Sequence, residues 1–100
     1  MSRDYNKAIA EDRRFCVLRT LEESPGYKAN EGVLQATLEI YGHACSRDGV
    51  SAITNWLEEG GLVTVEALSP DIRVVAITGR GQEVATGRAG HPGVRRPRAK

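Results

Sequence analysis

One hundred residues, 40% of them hydrophobic and 27% charged, with 11 Gly and 4 Pro, fit one small domain around a single core. That length excludes a two-domain nucleotide enzyme or a large barrel, and no apolar run approaches the ~18 residues of a membrane span. The net charge of +1 conceals an asymmetry: residues 1–83 carry nine Lys/Arg against thirteen Asp/Glu, whereas residues 84–100 carry five cations and no acid, so any attraction to nucleic acid must be local.

Residues 4–23 contain no Gly or Pro, and Ile9, Phe15, Cys16, Val17, Leu18 and Leu21 cluster toward one side, which predicts a first helix with its charges in solvent. Ser24-Pro25-Gly26 stops it, and Tyr27-Lys28-Ala29 reads as a connector. Asn30 is placed to cap a second helix over 31–41, with Leu34, Leu38 and Tyr41 on one stripe and Glu31 near the favourable end of the dipole. Gly42 ends it. Ser46 caps a third helix over 47–59, with Val50, Ile53 and Leu57 inward, closed by Gly60-Gly61.

From Leu62 the period changes. Residues 62–66 and 72–77 are β-rich runs joined by Ala67-Leu68-Ser69-Pro70-Asp71, a hairpin. Thr78 then caps a short helix over 79–87. Residues 90–100 have too little apolar content to fold alone and are expected to form a mobile basic tail beside a domain spanning 1–89. A two-stranded hairpin is marginal in water, so it must pack on the helices. The expected fold class is therefore α+β, a winged helix-turn-helix of three helices, a two-stranded wing and a short C-terminal helix.

Residues 46–63, with Leu57-Glu58-Glu59-Gly60-Gly61-Leu62-Val63 at their end, resemble the recognition helix and first strand of bacterial winged-helix regulators. Ile77-Thr78-Gly79-Arg80-Gly81 is similar to the segment that ends their wing. The whole chain, including His91-Pro92-Gly93-Val94-Arg95-Arg96-Pro97, also resembles small winged-helix proteins of Mu-type phages and prophages. The resemblance implies a DNA-binding protein, a transcriptional regulator, that docks helix 47–59 in the major groove.

On that helix Arg47, Ser51, Thr54 and Asn55 are expected to face outward, and their side-chain types suit base edges and phosphates. Asp48, Glu58 and Glu59 oppose them. With the wing expected on the DNA backbone, its one cation, Arg73, is the expected phosphate contact there, although Glu66 and Asp71 beside it depart from the more basic wings of DNA binders. Arg95, Arg96 and Arg98 of the tail, with Arg88 and Lys100, suit a groove-tracking arm or a solubilising tail. The expected partners are double-stranded DNA and, through the first or last helix, a second copy of the chain. The poorly charged wing keeps a second expectation open, a winged-helix module for protein contacts in a phage or bacterial assembly.

Trp56 is expected in the core or a subunit contact, since no second aromatic makes a stacking platform. Cys45 before the Ser46 cap suits a staple against Val50, and Cys16 suits the core. Two Cys and two His, widely scattered, give no zinc spacing. Gly79-x-Gly81 follows a strand, yet Val84 stands where a dinucleotide fingerprint needs its third Gly, and too little chain follows. No enzymatic site, metal, cofactor or small-molecule ligand is expected. The start lacks an apolar signal core and the cysteines form no disulfide framework, so a cytoplasmic protein with no membrane partner is expected.

Overall fold

The computed structural model describes residues 3–98; Met1, Ser2 and the tail's Lys100 lie outside them. The first element is α1 (Arg3–Glu23). Its first turns stand in solvent, whereas the four consecutive residues Phe15, Cys16, Val17 and Leu18 are all buried, with Leu21. Four buried positions in a row cover more than one helical stripe, so here α1 is the hub, packed against all three other helices and the sheet.

A 3-10 turn over Pro25–Tyr27 leads into a short strand, β1 (Lys28–Asn30). Asn30 then caps α2 (Glu31–Ile40), its side-chain oxygen accepting from the Val33 N–H at 2.9 Å. Leu34 and Leu38 are buried, but Tyr41, expected on the same stripe, is exposed: the helix has already ended and Gly42 turns the chain at φ +85°. Ser46 caps α3 (Arg47–Glu59) by accepting from the Gly49 N–H at 3.0 Å. Cys45 packs partly buried against the core, as a staple requires.

The hairpin consists of β2 (Val63–Ser69) and β3 (Ile72–Ile77). Its strands run on through most of the expected loop, with a register irregularity between Ala67 and Ser69 and only Pro70 and Asp71 at the turn. The sheet has three strands rather than two, in the order β1-β3-β2, all antiparallel. Ala29 lies opposite Val75, so the segment read as a connector is an edge strand. Central Val75 is fully buried, joining Leu57, Leu62 and Val63 in the core. Each such aliphatic side chain contributes roughly 1.5–3 kcal/mol by burial.

Thr78 caps α4 (Gly79–Thr86) through the Gly81 N–H, and α4 packs on α1. Among the described residues the fold is thus α+β, with four α-helices and a three-stranded antiparallel sheet. The basic tail, expected to be mobile, returns across the domain. Val94 is buried, the Arg95 N–H donates to the Glu11 carbonyl, and Gly93 sits against the Trp56 ring. One apolar residue among Gly, Pro and Arg is a weak sequence signal, but it lands in the core cluster.

Candidate nucleic-acid interface

The residues singled out in the third helix and the hairpin converge at one place, where the start of α2, the outer side of α3 and β3 meet. The focus is Glu31, whose carboxylate is only 2% exposed. It accepts from the Ser51 hydroxyl at 2.7 Å through Oε1, and from the Thr54 hydroxyl at 2.6 Å through Oε2. Arg73 Nε donates to the same Oε2 at 3.1 Å. Arg73 Nη2 in turn donates to Asn55 Oδ1 at 2.6 Å. A buried carboxylate is tolerated only when its lone pairs are filled and its charge matched, and three donors from two other elements do both.

This network sorts the four α3 residues expected to face outward. Thr54 does not: it is fully buried and its hydroxyl is spent on Glu31. Position 54 lies four residues after Val50 and three before Leu57, so helical spacing sends it inward despite its polarity. Ser51 is half-buried and also turned to Glu31, whereas Asn55 and Arg47 are exposed. Arg47 Nε donates to Gln35 Oε1 at 3.2 Å, and Gln35 Nε2 donates to the Cys45 carbonyl at 3.0 Å, which ties the start of α3 to α2. Arg47 and Arg73 flank a cleft of about 190 Å³ between the α2 start and the hairpin turn. Of the acids that oppose this face, Glu58 is drawn aside, since its Oε2 accepts from the Val65 N–H at 3.0 Å.

Sequence reasoning missed Glu31, which looked like a first-turn acid serving only the helix dipole. The available signal was Arg73, a lone cation inside the apolar run of β3, which requires an acid somewhere across the sheet.

The tail cations sit elsewhere. Arg95 forms a close ion pair with Asp12 and stacks over Phe15 at 4.4 Å. Arg96 donates to the Gly87 carbonyl at 3.0 Å. Arg98 lines an open groove of about 790 Å³ along α1 with Tyr5, Ile9, Phe15 and Pro97. Arg14 lies over the Trp56 ring at 3.9 Å and donates to the Gly93 carbonyl at 2.9 Å, so Trp56 is the seat of the returning tail. His43 shares Asp12 at 2.7 Å. Burial pushes the Asp12 carboxyl up, but the hydrogen bonds and charges of His43 and Arg95 prevail and hold it below its ordinary value. Desolvation lowers the Arg14 guanidinium and raises the Cys16 thiol. Among the described residues no group of three His, Cys, Asp or Glu side chains is placed to hold a metal ion. No helix there is long and apolar enough to cross a membrane.

Compared with known proteins, the chain is 48% identical over 95 residues to the uncharacterised protein gp26 of Escherichia phage Mu, covering 95% of this chain and 97% of gp26. The chain belongs to the phage Mu gp26 family. Likeness at near full length carries the phage resemblance read from the sequence. The chain is also 45% identical over 76 residues to an uncharacterised protein of Haemophilus influenzae, covering 76% of this chain and 74% of that protein. No family model matches the chain, and no solved structure matches it.

Proposed function

We propose that the α3 face is a duplex DNA interface, and that the fold is a winged helix-turn-helix serving as a transcriptional regulator of a phage or prophage. In this reading α2 and α3 are the helix-turn-helix, α3 enters the major groove, and the β2–β3 hairpin lies along the backbone. The observation that carries it is the grouping of Arg47, Asn55 and Arg73 on one side, held by the Gln35 and Glu31 bonds rather than left to wander. Arg47 supplies a phosphate or guanine contact, and Asn55 a base contact.

The test is fluorescence anisotropy of the full chain on random-sequence duplex DNA across a salt series. Expected is binding that weakens as salt rises, with Arg47→Ala reducing the slope by about one phosphate equivalent. Absence of binding at low salt by the wild-type chain overturns the proposal. A second reading then takes its place, protein docking through the hairpin end, which is favoured by Leu68 and Ile72 standing 61% and 48% exposed there beside Asp71.

A further inference from the structure

Arg73 is the only cation between Leu62 and Ile77, yet it is already engaged within the protein. Its Nε donates to Glu31 and one N–H of its Nη2 to Asn55, so two of its five N–H groups are held and its charge is matched by the carboxylate. A guanidinium offers donors only, so Asn55 must turn its oxygen toward Arg73 and its amide N–H groups away from it. Glu31 thereby does two things at one remove from the surface. It cancels the charge of the hairpin's one cation, and, through Ser51 and Thr54, it fixes the roll of α3 relative to β3.

We infer that Glu31 is a specificity-determining positioning residue of the α3 face: its buried carboxylate withholds Arg73 from the DNA backbone and commits it to orienting Asn55. The inference rests on the DNA-binding reading above. It has an unusual consequence. Neutralising Glu31 makes the protein bind duplex DNA more tightly and less selectively, because Arg73, already 28% exposed at its side chain, swings outward to phosphate once its acid is gone. The Gln side chain keeps the shape: its one oxygen accepts from the Ser51 hydroxyl, and its amide N–H donates to the Thr54 hydroxyl, which turns its own proton to the Ser51 carbonyl 3.1 Å away, so the fold is retained.

The experiment selects duplexes from a random library with the full-length wild-type chain, then measures wild type, Glu31→Gln, Asn55→Ala and Arg73→Ala on the selected duplex, its single-base variants and random DNA across a salt series. For Glu31→Gln, random-DNA affinity should rise severalfold, the salt slope should steepen by about one phosphate equivalent, and preference at one base position should fall from about tenfold toward none. Asn55→Ala should flatten the same base position with the slope unchanged, and Arg73→Ala should flatten it without any gain on random DNA. A Glu31→Gln chain that selects the wild-type sequence, or loses specific and random affinity in parallel, overturns the inference while leaving DNA binding standing. A wild-type chain that enriches no duplex overturns both. Thermal melting of each variant separates a misfolded chain from these outcomes, and if Glu31→Gln fails to fold, Ser51→Ala must by itself weaken the same base preference or the inference falls.

Discussion

Gly81 occupies the point where the first turn of α4 meets the end of the α3–β2 connection, and a Cβ there would overlap the Leu62 carbonyl oxygen and crowd Ile77. That carbonyl already accepts from the Thr78 N–H, so it cannot retreat cheaply. Gly81→Ala is expected to cost about 2–3 kcal/mol by overpacking, read as a lower urea midpoint, whereas Gly79→Ala, with open space around it, should be nearly neutral. Thr54 illustrates a different constraint. Replacing it with Val keeps the shape but removes one of three donors to a buried carboxylate, an expected loss of about 1–2 kcal/mol in the same assay. The two residues also differ in legibility. The helix start around Gly81 is legible from the Thr78 cap before it, whereas the hydroxyl of Thr54 suggests a solvent face and only its spacing from Val50 and Leu57 turns it inward.

Among elements, the returning segment from His91 to Pro97 behaves as a strap clasped at two points, Asp12 with Arg95 and Trp56 with Arg14 and Gly93. The folded pKa of Asp12 lies below its ordinary value of 3.8. The stabilisation it lends is therefore complete above the unfolded value and is lost as the pH falls through the folded one. The strap is expected to loosen only in acid below about pH 4, reported by the emission of Trp56, the one tryptophan of the chain. Asp12→Asn should give the same emission change at neutral pH and faster tryptic cleavage after Arg95. Neither this strap nor β1 was visible in the sequence. Lys28-Ala29-Asn30 has no β-branched residue, and its strand conformation comes from pairing with β3, a partner more than forty residues away. The capped helices, by contrast, announce themselves through Asn30, Ser46 and Thr78, because a cap is a local contest won within four residues.

For the whole molecule, folding redistributes the charge that composition assigns to the two ends. The tail's Arg95 is neutralised by Asp12 and the hairpin's Arg73 by Glu31, so the cations most prominent in the sequence are not those most available to a partner. A chain ending at Gly90 loses buried Val94 and uncovers Trp56, an expected cost of about 2–3 kcal/mol measured by thermal or urea unfolding. The order of helices and hairpin was legible because periodicity and caps are local, while the third strand, the strap and the Glu31 network depend on distant encounters. The sheet order β1-β3-β2 also bears on biosynthesis. The central strand is the last of the three to be translated, so on the ribosome both flanking strands must wait, unpaired, until Ile77 has cleared the exit. A polypeptide released before that point presents two open edges and no middle, and the cell would meet it as a substrate for chaperones and proteases rather than as a smaller version of the domain.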